Sequence, residues 1–183
     1  MDDIIVTGND SKELEMFITK LNKVFDPKDL GPLHYFLGIG AYKDDIGIYL
    51  SHEKYISELL QKFDMKHLKL CPTPMTAGKP IPVNDGEPLL NPTIYRSVIG
   101  ALQYLIHTRP DISFTVNKLS QLLESPTIAH WSVVKRIMRY LKGTIHHGLH
   151  ISHSDRLALI GYSDADWACC LMIADLLEGT AFS

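Results

Sequence analysis

The segment that most constrains this chain runs from Cys71 to Pro92 and reads CPTPMTAGKPIPVNDGEPLLNP. Each proline removes a backbone donor and fixes its own φ. Pro72, Pro74, Pro80, Pro82 and Pro88 recur too closely for a helix or a central strand to pass through. Gly78 and Gly86 loosen the same stretch further. The pattern predicts an extended linker over residues 67–90, with a domain boundary at it. A chain of 183 residues with 45% apolar content can bury one sizeable core or two small ones around such a break.

Before the break the periodicity is mixed. Ile4–Val6 reads as a short strand. Asn9, Asp10 and Ser11 each offer a cap for a helix, with Glu13 placed to complete a box behind Asp10. Leu14, Phe17, Ile18, Leu21, Val24 and Phe25 then follow at helical spacing until Pro27. The stretch LHYFLGIGAYKDDIGIYLS changes character, being rich in aromatic and β-branched residues around a KDD turn. It predicts a hairpin of Leu33–Tyr42 with Gly47–Leu50, after which Ser51 caps a helix carrying Tyr55, Ile56, Leu59, Leu60 and Phe63.

After the break three helices are expected. Asn91-Pro92 starts the first, Pro110 the second and Ser125-Pro126 the third, which Gly143 ends. Short connections make such helices neighbours in space. The stretch GLHISHSDRLALIGYSDADWA suggests two short strands around a turn at His153–Arg156. The fold class is therefore α+β: strand, helix, β-hairpin and helix, then a three-helix unit, then a short β segment.

Composition narrows the function classes. A formal net charge of −3 gives no global attraction to nucleic acid, so any such binding needs a local basic face. The 3 cysteines, two of them adjacent at Cys169 and Cys170, do not make a disulfide framework, and a reducing compartment, cytosol or nucleus, is expected. No basic n-region precedes an apolar core at the N-terminus, and no apolar run is long enough to span a bilayer, so no membrane partner is expected.

Several features carry candidate chemistry, each with two readings. Asp2 and Asp3, in the opening MDDIIVTG, are either a solvated acidic terminus or a carboxylate pair that a strand and turn hold for divalent metals. Gly38, inside a predicted strand, marks either a bulge or a place where another backbone comes close. Lys135, Arg136, Arg139 and Lys142 cluster on one side of the third helix, opposite Val134, Ile137, Met138 and Leu141. That side is either a solvated face or a track for phosphates. His146, His147, His150 and His153 lack a cysteine or carboxylate at supporting spacing, which argues against a metal site there.

The segments DDIIVTGND, DLGPLHYFLGI, YRSVIGALQYLIHTRPDISFTVNKLSQ, AHWSVVKRIMRYLKGT and GYSDADWA occur in this order. Together they resemble the reverse transcriptase of copia-type retrotransposon Pol polyproteins, over nearly the whole chain to about Ala168. The resemblance implies a C-terminal part of the polymerase palm with the primer-grip hairpin over 1–66, the linker over 67–90 and a thumb-like three-helix unit over 91–145. The start of an RNase H domain over 146–168 and a divergent tail over 169–183 complete it.

By that resemblance Asp2 and Asp3 match the Asp-Asp of the family's Tyr-x-Asp-Asp signature, with Met1 at the x position. They are the candidate metal ligands for Mg2+ or Mn2+. Phe36, Leu37 and Gly38 match the primer grip, and Lys135, Arg136, Arg139 and Lys142 lie on the thumb helix that would follow the primer–template. Asp164 matches the first RNase H carboxylate, with Asp166 beside it in the motif. The implied partners are a DNA duplex or RNA–DNA hybrid and the upstream part of the polymerase. The third palm carboxylate and the fingers have no match in this chain. The expectation is a fragment that does not polymerise alone, with nucleic-acid binding or protein interaction as alternative roles. Exposed apolar faces at Ile4–Val6 and Leu33–Ile39 are expected to make it associate.

Overall fold

The structure is a computed structural model that describes residues 4–25, 28–76, 81, 86–153 and 161. Of its two compact units, residues 1–153 hold the elements below, and residues 154–183 fall outside the described residues apart from Gly161. The second expected C-terminal strand and the divergent tail therefore lie outside the described residues.

Helix α1 spans Ser11–Phe25, and of the three candidate caps Asp10 serves: its carboxylate accepts the Lys12 amide at 2.8 Å. None of its side chains is buried. Ile4–Val6 is not a strand. These residues pair with no neighbour in the described sheet, and Ile4 is 71% exposed, so β propensity alone does not order them.

The predicted hairpin is instead a three-stranded meander extended by a distant fourth strand. Strands β1 (Tyr35–Phe36), β2 (Ile39–Lys43), β3 (Gly47–Ser51) and β4 (Leu149–Ser152) pair in that order, every pair antiparallel. The single strand expected over Leu33–Tyr42 breaks at Leu37–Gly38. Both residues there have positive φ, 46° and 82°, the geometry of a two-residue hairpin turn. Asp44 builds the next turn, its carboxylate accepting the Ile46 and Gly47 amides at 2.9 and 2.7 Å.

Helix α2 (Glu53–Lys62) follows β3 directly, and the Ser51 hydroxyl accepts the Glu53 amide at 3.2 Å. After the proline-rich stretch come α3 (Pro92–Leu105), a 3₁₀ turn (Pro110–Ile112) leading into α4 (Ser113–Ser120), and α5 (Ile128–Gly143). Asn91 caps α3 as its sequence suggests. The cap of α5 lies after the Ser125-Pro126 pair: Thr127 and His130 exchange side chain–backbone hydrogen bonds at 3.3 and 3.1 Å.

One core unites these helices across the break. Ile56, Leu59 and Leu60 of α2 pack with Val98, Ile99 and Leu102 of α3, Val116 and Leu119 of α4, and Ile137, Met138 and Leu141 of α5. Each such side chain, fully buried, contributes about 1.5–3 kcal/mol. Tyr95 is wholly buried among them and donates its hydroxyl to the Leu119 carbonyl at 2.9 Å; burial pushes its pKa up to about 12.

Candidate nucleic-acid interface

Two surfaces carry the side chains that the sequence singles out for nucleic acid. The first is the β1–β2 turn. Phe36 is half-buried, whereas Leu37 at the tip is 64% exposed. A leucine in the left-handed region costs roughly 1–2 kcal/mol, because its Cβ crowds the following carbonyl. Gly38 has no such penalty, and a Cβ built there would approach the Tyr104 ring at 3.5 Å. The Gly38 position is therefore a turn with an aromatic neighbour.

The Tyr104 hydroxyl, from α3, donates to the Leu37 carbonyl. Its ring sits edge-on to His52 at 5.1 Å and to Tyr55 at 5.3 Å, with His107 at 6.1 Å. Beneath the turn, then, lies an aromatic cluster drawn from α2, α3 and the residues that flank them. His52 is fully buried with Nδ1 hydrogen-bonded to the Thr108 hydroxyl, and burial lowers its pKa from 6.5 to about 4. Lys54 lies over the Tyr35 ring at 5.2 Å and places a cation beside the same turn.

The second surface is the basic side of α5. Three of its four cationic heads are tied to the chain that leaves α2. Arg136 donates to the Thr73 carbonyl at 3.2 Å and to the Thr73 hydroxyl at 2.8 Å. Arg139 donates to the Lys69 carbonyl at 2.6 Å and Lys142 to the Leu68 carbonyl at 2.9 Å. These bonds fasten the first part of the proline-rich stretch along the helix, where Cys71 is buried. Lys135 is exposed.

Asp2, Asp3 and Asp164 lie outside the described residues, so the structure places none of the candidate metal ligands. Among the described residues no three His, Cys, Asp or Glu side chains converge as a metal site. His146 pairs with Glu53 at 3.1 Å and His150 with Asp44 at 3.1 Å. The Gly47 and Ile46 amides, with smaller help from His150, hold the Asp44 carboxyl below its usual range.

Sequence reasoning missed Tyr104 and a polar knot behind it. Arg109, 1% exposed, forms a bidentate pair with Asp111 and also donates to the Thr144 carbonyl at 2.9 Å. Tyr140 donates to Asp111 at 2.7 Å. Burial alone would raise the Asp111 pKa, but the Arg109 and Tyr140 hydrogen bonds and the Arg109 charge outweigh it, and the net direction is down. The knot ties the α3–α4 connection to the end of α5. The only sequence signal for Tyr104 is an aromatic just off the apolar stripe of α3.

Residues 1–77 match the family described as reverse transcriptase (RNA-dependent DNA polymerase). The chain is 45% identical over 168 residues, 92% of its length, to the retrovirus-related Pol polyprotein from transposon RE1 of Arabidopsis thaliana. It is 37% identical over 177 residues to the corresponding polyprotein from transposon TNT 1-94 of Nicotiana tabacum. An uncharacterized mitochondrial protein of Arabidopsis thaliana is 42% identical over 173 residues, which cover 93% of this chain and 70% of that protein. No solved structure matches. The class is that of retrotransposon Pol sequences. Within it, the chain belongs to the copia-type family and corresponds to its reverse-transcriptase region. It spans 12% of the length of the RE1 and RE2 polyproteins.

Proposed function

We propose that this region serves an RNA-directed DNA polymerase by holding primer–template nucleic acid, with the β1–β2 turn and the exposed part of the α5 basic side as contacts. The similarity to transposon Pol polyproteins over 92% of the chain carries the reading. The exposed Leu37 at the turn's tip, with Lys54 beside the turn, supports the first contact. A polypeptide of these 183 residues binds a hybrid without extending it. Two-metal chemistry needs acidic ligands from several separated strands, and Asp2 and Asp3 are adjacent in the chain.

The experiment is anisotropy with a labelled RNA–DNA hybrid at several salt concentrations, together with primer extension in Mg2+ or Mn2+. Binding should weaken as salt rises, and Lys135→Ala should lower the logarithmic salt slope by roughly one phosphate contact, about 0.9. Lys135 is the informative cation because its removal leaves the Arg136, Arg139 and Lys142 fastenings intact. Salt-independent binding, or none, would overturn the binding role. Robust nucleotide incorporation would overturn the claim that the polypeptide does not extend a primer.

A second reading, a protein-binding role, is favoured by the apolar side chains that α1 leaves exposed. Concentration-dependent self-association of the wild-type chain is the measurement that tests it.

A further inference from the structure

The proline-rich stretch begins as a strap along α5 that has almost no apolar seat. Within residues 68–73, Lys69, Leu70, Pro72 and Thr73 are exposed, Leu70 at 60%, and Leu68 is half-buried. Cys71 alone is buried, at 7%. What holds the strap is polar. Arg136, Arg139 and Lys142 donate to the Thr73, Lys69 and Leu68 carbonyls, and the Cys71 amide donates to the Arg139 carbonyl at 3.4 Å. The Cys71 thiol donates to the same Thr73 carbonyl that Arg136 grips. At the end of the helix the strap passes Gly143, where an added Cβ would meet Leu70 at 3.8 Å.

The three cations stand at three-residue steps, about 4.5 Å of helix rise apart, on one side of α5. Their partners on the strap are all uncharged oxygens. An ionised oxygen makes a hydrogen bond about twice as strong as a neutral one, and the arginine fork grips phosphate through two parallel bonds. A segment with few buried apolar contacts also opens locally, well before the core does. We propose that residues 68–73 are a self-held cover over the α5 cations, and that a row of phosphates displaces it and turns Cys71 out to solvent. The cover and its opening stand on these contacts alone. Their bearing on nucleic acid rests on the reading under Proposed function: Lys135 is the cation open from the start, and the other three become available only as the cover lifts.

Cys71 is the reporter. In a full chain carrying Cys169→Ser and Cys170→Ser it is the one remaining thiol. Its labelling by a maleimide should be slow, and inorganic polyphosphate should quicken it about tenfold. Sodium chloride of equal ionic strength should do less, because its ions meet the cations one at a time. Arg136→Gln with Arg139→Gln should quicken labelling about tenfold with no polyphosphate present, and polyphosphate should then add little. Lifting the cover exposes little surface. The labelling rate should therefore stay flat in low urea, and amide exchange in peptides from α3 should match wild type.

Labelling that polyphosphate leaves unchanged would rule out the displacement. A double arginine variant labelled as slowly as its parent would show that these cations do not hold the cover. Labelling that climbs with urea as steeply as global unfolding would mean that Cys71 opens only with the core, and the cover would fall with it. A labelled RNA–DNA hybrid is the last arm. If polyphosphate opens the cover and the wild-type chain binds no hybrid, the reading under Proposed function fails and the cover stands.

Discussion

At the scale of single residues, the clearest consequence belongs to His52. Its ring is fully buried, Nδ1 is hydrogen-bonded to Thr108, and Nε2 has no partner among the described residues. A proton added there would be a buried, unmatched charge, so the folded state resists protonation down to about pH 4 instead of the ordinary 6.5. The sign follows. Between those values the unfolded chain binds a proton that the folded chain does not. The stability contributed by neutral His52 is therefore complete above pH 6.5 and drains away as pH falls toward 4. Urea unfolding should show a lower midpoint at pH 5 than at pH 7, and His52→Asn should flatten that difference. Equal pH dependence in the two proteins would refute it. Neither His52 nor Arg109 stands out in the sequence. A histidine beside Ser51 reads as part of a helix entry, and an arginine before a proline reads as surface charge. Their burial arises from the distant partners Thr108 and Thr144, which no local pattern reports.

Among the elements, the helices were legible and the sheet was only half so. Apolar spacing, Asn91-Pro92 and the Asp10 cap are local signals, and they placed α1, α2 and α3 closely. The β1–β2 turn was hidden because leucine is a poor marker for positive φ. Strand β4 was hidden as a partner because it joins β3 across nearly a hundred residues, and a four-residue strand carries little pattern of its own. Glycine is what admits it. A Cβ on Gly148 would lie 2.2 Å from the Leu50 carbonyl oxygen, and one on Gly47 would lie 2.0 Å from that of Ile151. Backbone cannot yield there without opening the ladder. Gly148→Ala should cost about 1–3 kcal/mol and speed amide exchange across β3 and β4. Gly100 in α3 is the control: a Cβ there meets nothing within 4 Å, and Gly100→Ala should stabilise by about 0.5–1 kcal/mol. Thermal melting with exchange checks both, and a Gly148→Ala protein as stable as wild type would sink the argument.

For the molecule as a whole, the decisive observation is what the core leaves out. The helical unit closes on itself, with Val98, Ile99, Leu102, Ile137 and Met138 all at 0% exposure. Helix α1 contributes nothing to that core, although its sequence is amphipathic: Phe17 is 49% exposed, Val24 71% and Phe25 73%. Ile4 and Ile5 add 71% and 46% beside it in sequence. The sequence pattern that predicted one buried face on this helix was sound as chemistry. The face simply has nothing to cover it among the described residues. Family membership was equally legible, since it rests on ordered motifs that need no contact map. Contiguous apolar surface of this kind drives association when copies meet. Sedimentation of the wild-type chain should therefore depend on concentration over roughly 1–100 μM, a range in which exposed apolar surface promotes self-association. Phe17→Glu with Val24→Glu should abolish that dependence. The double variant should keep the thermal transition of the helical core, because neither side chain touches it. A wild-type chain that sediments as a monomer throughout, or a double variant that still associates, would show that α1 is covered by some other means and that the protein-binding reading has lost its support.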